Sequence, residues 1–329
     1  MGLQRNVYPS YEGGKESIET RNTMIKIILK RGRDESLRRF HPWVFSGAIA
    51  QVQGNPAEGD VVAVHDADGS FLAYGHYQVG SIAVRVLSFD ADVLAPDFWE
   101  VMLDRALQVR VACGLDDSEN TNCYRLVHGE GDNLPGLIID IYGNTAVMQA
   151  HSVGMHVNRL QIANAMKEVL GDKLKNIYYK SDTTLPYKAD INKDNGYILG
   201  GNAANISTEY GLKFHIDWLR GQKTGFFVDQ RENRSLLEKY AKGRKLLNMF
   251  CYTGGFSIYA LRGGAELVHS VDSSSKAIDL TNANVAIDTV VIIARLDTLL
   301  PILAPTKRPI SIINQYTATI IPTVPAGIE

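Results

Sequence analysis

A glycine pair and a nearby carboxylate form the strongest chemical signal in the sequence. Gly254 and Gly255 follow the apolar run Lys245–Phe250, and Asp272 ends the next apolar run. Glycines let a backbone approach a ligand where a Cβ would collide, and the helix after the turn presents N–H groups without intrahelical acceptors. A carboxylate at the end of the second strand can accept hydrogen bonds from ribose hydroxyls. The pattern predicts a nucleoside-binding turn.

The order of residues in the turn distinguishes between adenosine cofactors. A dinucleotide fingerprint, G-x-G-x-x-G, needs a third glycine for close helix packing and places a pyrophosphate on the helix end. Thr253-Gly254-Gly255-Phe256 has two adjacent glycines followed by a bulky residue. A phosphate-free nucleoside fits this turn better, and a nicotinamide oxidoreductase is the weaker alternative. A glycine-rich turn that binds nothing is a further alternative, because such turns are common.

The elements around this turn alternate between helix and strand. The pattern predicts a helix over 229–241, a strand over 245–250, a helix over 256–262 and a strand over 267–271. Such alternation is typical of a doubly wound α/β domain with a parallel sheet covered on both faces.

The upstream sequence predicts different architectures. Short β-type runs at 25–29, 61–65, 71–77 and 82–88 indicate a small β-rich domain. Helical spacing over 97–113 predicts a linker helix. Strands at 137–141, 145–150, 176–179 and 212–216, with a helix at 155–169, predict a central α+β module.

Composition restricts the class of protein. The 329 residues are 45% hydrophobic and 21% charged with a formal net charge of -2, so a nucleic-acid partner would have to be recognised by local charge. The three cysteines lack metal-ligand spacing, which argues against a disulfide framework and a zinc site and favours a cytoplasmic protein. No segment approaches the roughly 20 apolar residues of a membrane span, so no membrane partner is expected.

The two ends of the sequence differ from the rest. Residues 1–23 are polar without periodicity and are expected to be a disordered leader. Residues 288–329 have few charges and contain prolines 301, 305, 309, 322 and 325. This composition predicts an aberrant tail that cannot form a normal helix.

Several motifs resemble one enzyme family. The chain is similar to bacterial class I S-adenosylmethionine-dependent 23S ribosomal RNA (cytosine-C5) methyltransferases with an N-terminal PUA domain. The resemblance covers about residues 24–287 and rests on the motifs at 221–234, 248–256, 271–274, 39–49, 124–132 and 134–137. It is specific because long motifs occur in order at the family's spacing.

The resemblance implies a domain organisation. It assigns 24–95 to a PUA-like RNA-binding β-barrel, 96–215 to the linker helix and central α+β module, and 216–287 to the N-terminal half of a Rossmann-like methyltransferase domain. The expected fold class is therefore α/β plus α+β with an incomplete methyltransferase domain.

The resemblance also implies S-adenosylmethionine as cofactor and ribosomal RNA as partner. The implied cofactor-binding residues are Lys223, Thr224, Phe227, Gln230, Phe250, Tyr252, Thr253, Gly254, Gly255 and Asp272. Alternatively, Phe227 and Phe250 are plain core, and Asp229, Arg231 and Arg234 form a solvated helix face.

Two features that the resemblance implies are absent. The family has an Asp-Pro-Pro motif beside the methyl donor and a later cysteine whose thiolate adds to C6 of cytosine. The sequence contains no Asp-Pro-Pro and no cysteine after Cys251, which is interpreted as a packed residue. We therefore assign no catalytic residue and expect impaired activity, from a frameshift or a truncation with a missense tail. The alternative is a catalytically dead RNA-binding PUA-domain protein.

A basic cluster near the N-terminus is the predicted RNA-binding edge. The predicted RNA-binding residues are Lys30, Arg31, Arg33, Arg38, Arg39, His41 and Trp43, with Lys26 and Phe45 adjacent. Asp34 and Glu35 interrupt the cluster, so a solvated basic loop is the alternative. Homodimerisation is left open.

Overall fold

The computed structural model describes residues 24–90, 95–115, 119–186, 194–201, 203–299 and 317–320, and not the side chains of 289–299 and 317–320. The chain divides into two compact units, Met1–Val93 and Leu94–Glu329. The predicted leader 1–23 and the five prolines of the predicted tail lie outside the described residues.

The first unit is a six-stranded sheet with one short helix. Its elements are β1 (Lys26–Leu29), α1 (Glu35–Arg38), β2 (Trp43–Phe45), β3 (Ile49–Gln53), β4 (Val61–His65), β5 (Phe71–Tyr77) and β6 (Ile82–Ser88). The strand order is β2-β6-β5-β4-β1-β3. β1 pairs with β4 in parallel, and the other pairs are antiparallel. The four strands predicted here are confirmed, with the first beginning one residue later.

Alternating side chains build the core of this unit. In β1, Ile27 and Leu29 are buried while Lys26 is exposed. Val62 and Val64 of β4 join them in one apolar cluster. Val44 of the end strand β2 belongs to the same cluster, whereas Trp43 is half-buried and Phe45 is exposed.

The second unit begins with a helix and a five-stranded sheet. Its first elements are α2 (Phe98–Ala112), β7 (Cys123–His128), β8 (Leu137–Tyr142), β9 (Thr145–Ala150), α3 (Val153–Val157), α4 (Arg159–Leu170), β10 (Asn176–Tyr179) and β11 (Gly196–Leu199). The strand order is β11-β10-β9-β8-β7, and only β9 and β10 are parallel neighbours. The predicted linker helix and the predicted strands at 137–141 and 145–150 are confirmed, and the two strands form an antiparallel pair.

A β-hairpin and an α/β segment complete the second unit. The remaining elements are β12 (Ile206–Glu209), β13 (Leu212–His215), α5 (Arg231–Tyr240), β14 (Lys245–Met249), α6 (Gly255–Arg262), β15 (Leu267–Val271), α7 (Ser275–Leu299) and β16 (Thr317–Ile320). β14 and β15 are parallel as predicted, whereas β16 runs antiparallel to β15.

Cover on both faces of this small sheet was predicted, and the prediction is wrong for β14 within the described residues. Leu247 and Met249 alternate on one face of the strand and are 65% and 49% exposed. β14 pairs only with β15 in the described part of the chain. The strand within the apolar run 245–250 therefore has one face whose side chains are exposed to solvent.

The prediction that the segment from residue 288 cannot form a helix is also wrong. α7 continues through this point to Leu299. The physical reason is that residues 288–299 contain no proline, and the first proline of the segment, Pro301, comes after the helix end. Within the described residues, no helix is both long and apolar enough to cross a membrane.

Candidate cofactor site

The turn between β14 and α6 has a strained backbone. Phe250, Tyr252 and Gly254 have positive φ angles of 57°, 46° and 78°. Glycine adopts this left-handed region freely, whereas other residues lose roughly 1–2 kcal/mol there. Such conformations cluster at ligand-binding and active sites. The strain therefore coincides with the turn that the sequence predicts to hold a nucleoside.

Asp272 joins the ends of the two parallel strands. The Tyr252 N–H donates to Asp272 Oδ2 at 2.9 Å, and the Ser274 N–H donates to Asp272 Oδ1 at 2.9 Å. The two carboxylate oxygens have about four lone-pair sites between them, so acceptor positions are left for a ligand. The carboxylate is partly buried at the carboxyl edge of the sheet, where ligands bind in open α/β sheets.

The two glycines of the turn are needed for packing as well as for backbone conformation. An added Cβ at Gly254 would lie 2.6 Å from Thr281 Cγ2, and one at Gly255 would lie 3.0 Å from Arg234 Cδ. Thr281 also donates from Oγ1 to the Tyr252 carbonyl at 3.0 Å. In the structure, the nearest obstacles are side chains of α7 and α5.

The loop 217–227 lies against the turn through Tyr252. The Gln222 N–H donates to the Tyr252 hydroxyl at 2.9 Å, and that hydroxyl donates to the Gly225 carbonyl at 3.3 Å. Phe227 packs edge-to-face on the Tyr252 ring with centroids 5.4 Å apart. Burial raises the pKa of the Tyr252 phenol, which keeps the hydroxyl protonated as a donor. Loop and turn therefore form one hydrogen-bonded assembly.

The other side of this loop is anchored to the five-stranded sheet. Thr224 is fully buried, and its hydroxyl donates to Asp140 Oδ2 at 2.6 Å and lies 2.8 Å from the Tyr142 hydroxyl. Gln149 donates to the Lys223 carbonyl at 3.4 Å. The Thr224 side chain thus fixes the loop to β8.

Lys180, at the end of β10, is a further anchor that sequence reasoning missed. Its ammonium donates to the Gly221 carbonyl at 2.6 Å, and burial lowers its pKa. No local motif distinguishes Lys180, because the partner atom is a backbone carbonyl distant in sequence.

The remaining predicted residues differ in environment. Lys223 is exposed with a positive φ of 52°, and the Phe250 side chain is 85% exposed. Gln230 contacts Asp229 and Asn233 at the start of α5. Thr253 is buried, and its carbonyl accepts a hydrogen bond from the Asn284 amide at 2.9 Å. The alternative that Phe250 is plain core is wrong.

A buried ion cluster supports the turn from inside the unit. Glu209 at the end of β12 is fully buried and accepts two hydrogen bonds from Arg234, at 2.8 and 2.7 Å. The Tyr259 hydroxyl donates to Glu209 Oε1 at 3.0 Å, and Arg231 Nε lies 3.5 Å from Glu209 Oε2. The alternative of a solvated helix face is therefore wrong for Arg231 and Arg234, which are 6% and 2% exposed.

Cys123 and Cys251 are packed residues of the second unit, whereas Cys113 is exposed. Cys251 is buried beside Thr281, with 3.8 Å between Sγ and Oγ1, and burial raises its thiol pKa. Cys123 is fully buried, and desolvation raises its thiol pKa further. A raised pKa suppresses the thiolate and hence nucleophilicity.

The predicted basic edge of the first unit is largely paired with acidic side chains. The ion pairs are Arg31–Asp68 at 2.8 Å, Arg38–Asp34 at 2.5 Å, Arg38–Asp66 at 2.7 Å and Arg39–Glu35 at 3.7 Å. Lys30 donates to the Gly47 carbonyl at 2.9 Å. Arg33 is exposed in the turn after β1. Trp43 lies in β2 and His41 lies just before it, with their ring centroids 5.7 Å apart.

Two segments of the chain match known protein families. Residues 27–89 match a family model described as a PUA-like domain, and residues 196–292 match one described as an S-adenosylmethionine-dependent methyltransferase. Ribosomal RNA large subunit methyltransferase I of Erwinia tasmaniensis is 38% identical over 268 residues, which cover 80% of this chain and 67% of that protein. The protein of the same name from Aeromonas hydrophila is 40% identical over 263 residues, covering 78% and 65%. This chain belongs to the ribosomal RNA large subunit methyltransferase I family.

The family assignment agrees with the fold. The chain spans about two thirds of the length of these curated relatives. A candidate S-adenosylmethionine-dependent methyltransferase from Streptococcus mutans matches with a TM-score of 0.67 and 23% identity over 80% of this chain and 67% of that one. A candidate methyltransferase complexed with SAH matches with a TM-score of 0.68 and 23% identity over 80% and 66%. The predicted fold class, a PUA-like domain with a mixed α/β methyltransferase fold, is confirmed.

The residues present fit the cofactor of this family. The strained turn, Asp272 and the loop 217–227 all lie within the segment that matches the S-adenosylmethionine-dependent methyltransferase model. The Asp272 carboxylate offers acceptors for hydroxyl groups, and the first turn of α6 adds N–H donors.

Proposed function

We propose that this chain binds S-adenosylmethionine beside the strained turn and that its reaction is methyl transfer to C5 of a cytosine in 23S ribosomal RNA. The observation that carries the proposal is the Asp272 carboxylate, held by the Tyr252 N–H at the end of two parallel strands. Further support comes from relatives that are ribosomal RNA large subunit methyltransferases.

In this proposal the turn contacts the methionine and ribose end of the cofactor. Asp272 accepts hydrogen bonds from the ribose. The other contributing turn residues are Phe250, Tyr252, Thr253, Gly254 and Gly255. The loop and the start of α5 close the site through Lys223, Thr224, Phe227 and Gln230, with Thr224 acting through its anchor on Asp140.

The RNA partner is assigned to the first unit. The proposed contacts are Lys30, Arg31, Arg33, Arg38, Arg39, His41 and Trp43, in the unit that matches the PUA-like domain. A homodimer is a separate prediction, which sedimentation equilibrium would test through the mass of the particle.

We further propose that methyl transfer by these 329 residues is impaired. The sequence has no Asp-Pro-Pro and no cysteine after Cys251. Cys251 is buried with a raised thiol pKa, so it is a poor substitute for the thiolate that would add to C6 of cytosine. Cofactor binding and catalysis are therefore expected to separate in this chain.

Calorimetric titration of the full chain with S-adenosylhomocysteine tests the cofactor site. Saturable binding is expected, and Asp272→Asn should weaken it by about 10- to 100-fold, since a hydrogen bond to a charged group contributes roughly 1.5–3 kcal/mol. The matched control is Asp279→Asn, the same change at an exposed carboxylate of α7. Its affinity should equal that of the unaltered chain.

Transfer of a labelled methyl group to 23S ribosomal RNA tests the proposed reaction and its impairment in this chain. The expected result is cofactor binding with little or no transfer. A chain that binds RNA but shows no heat with S-adenosylhomocysteine would instead support the RNA-binding alternative. Efficient transfer to cytosine C5 would contradict the proposed impairment and confirm the reaction.

A further inference from the structure

Three rings lie close together at β2 in the first unit. Trp43 and Phe45 leave the same face of the strand, on either side of the buried Val44, and His41 lies just before the strand. Ring centroids are separated by 5.7 Å for His41–Trp43, 6.3 Å for Trp43–Phe45 and 6.1 Å for His41–Phe45. Phe45 is 48% exposed. We call these three residues the β2 aromatic surface.

This surface lies at an end of the sheet. β2 is the terminal strand in the order of the six-stranded sheet and pairs only with β6 in the described residues. The Trp43 and Phe45 rings are perpendicular, at 90°, and the His41 and Phe45 rings are inclined by 39°. His41 and Trp43 are half-buried, and Phe45 is the most exposed of the three rings.

Nearby carboxylates offset several of the proposed cationic contacts, so charge alone gives this unit little affinity for RNA. Residues 24–90 contain seven Lys and Arg side chains and seven Asp and Glu side chains. Arg31, Arg38 and Arg39 each lie within ion-pair distance of a carboxylate of the same unit. A protein that binds RNA mainly through phosphates needs unpaired cations that displace counterions.

We propose that the β2 aromatic surface binds unpaired bases of ribosomal RNA by stacking; this inference rests on the proposed RNA methyltransferase function. Every base has a π-face that stacks on an aromatic side chain with little regard to sequence. In an RNA duplex those faces are covered by neighbouring bases, so only loops, bulges and single strands offer them. A unit with equal numbers of basic and acidic side chains is better suited to contacts with uncharged bases than to contacts with phosphates.

Fluorescence anisotropy with the full chain tests this assignment. The probes are a short unstructured RNA and a duplex of the same length, each measured at about 50 and about 200 mM salt. The single strand should bind more tightly than the duplex. Phe45→Ala should weaken single-strand binding by about 5- to 100-fold, the range that loss of one stacked base gives. The ratio between the single-strand affinities of the unaltered chain and of Phe45→Ala should be the same at both salt concentrations.

Two matched variants separate stacking from general surface damage. Phe45→Tyr keeps an aromatic ring and should bind as the unaltered chain does. Val52→Ala removes apolar surface from β3, at the other end of the strand order, where Val52 is 37% exposed, and should leave binding unchanged. Phe45→Leu retains apolar bulk for folding but lacks the ring, so it should show the same loss as Phe45→Ala.

The outcomes distinguish this inference from the proposed function. Equal affinities for Phe45→Ala, Phe45→Leu and Val52→Ala, or equal binding of duplex and single strand, would overturn the stacking assignment. S-adenosylhomocysteine binding is measured on the same samples. If it is retained while RNA affinity is insensitive to Phe45, only the β2 aromatic surface fails. If the unaltered chain binds no S-adenosylhomocysteine, the proposed function fails independently of the RNA result.

Discussion

Glu209→Gln is expected to destabilise the second unit strongly. The substitution keeps an oxygen that can accept from Tyr259, but it removes the negative charge that faces Arg234 and Arg231. Both guanidinium groups are almost fully buried and would keep their charge, because an arginine does not lose its proton in a protein. The fold would therefore hold two desolvated cations without a carboxylate.

The magnitude follows from this burial. Removing one partner of a buried ion pair typically costs about 3–5 kcal/mol, because an uncompensated charge is left behind. The side chains of Glu209 and Arg234 are 0% and 2% exposed, so screening by water is small. A typical domain has an unfolding free energy of about 5–15 kcal/mol, so the loss would be a large fraction of the total.

Urea denaturation in a Trp43→Phe background measures the effect. The remaining tryptophans, Trp99 and Trp218, both belong to the second unit, so their fluorescence reports on that unit. The matched control is Glu266→Gln, which breaks an exposed pair with Lys245 whose side chains are 68% and 62% exposed. The control should cost no more than about 1 kcal/mol. Equal losses for the two substitutions would refute the argument that burial makes the Glu209 cluster costly to break.

Three further predictions concern pH and backbone conformation. Burial raises the pKa of Asp288 to about 6 from 3.8. Its contribution to the free energy of unfolding is therefore present below pH 3.8 and is lost as pH rises through 6. Asp288→Asn should flatten that fall, and an unchanged pH profile would contradict the shift. Burial lowers the pKa of His76 to about 4 from 6.5. Its contribution to stability is therefore present above pH 6.5 and is lost as pH falls toward 4. His76→Gln should reduce this acid sensitivity in melting experiments. Gly254→Ala, which places a Cβ 2.6 Å from Thr281, should weaken S-adenosylhomocysteine binding. Gly264→Ala is the control, because its φ of 87° is similar and the nearest atom to the added Cβ is 3.6 Å away; it should destabilise the chain by about 1–2 kcal/mol without loss of binding.

Local sequence was sufficient to predict most elements and the position of the turn. The predicted strands at 61–65, 71–77 and 82–88 match the observed ones in extent, because a short apolar run bounded by turn residues is a property of neighbouring positions. The turn at Gly254-Gly255 and the carboxylate at Asp272 were found for the same reason, since strand, turn and helix follow one another directly along the chain.

Contacts between distant positions were beyond such reasoning. Thr224 was assigned to the cofactor site, but its hydroxyl binds Asp140, 84 positions earlier. Arg234 carried the spacing of an exposed helix face, yet it is buried on Glu209, 25 positions earlier. The helix through residue 288 was missed because the composition of the whole tail outweighed its proline-free first twelve residues.

Patterns of neighbouring residues thus account for the glycine turn and for strands β4, β5 and β6, because each depends on interactions within a few positions. The support beneath the turn depends on folding, which brings Glu209, Arg234 and Tyr259 together in a space closed to water. In that space each charge must find its partner, and no pattern of neighbouring residues encodes which partner that is.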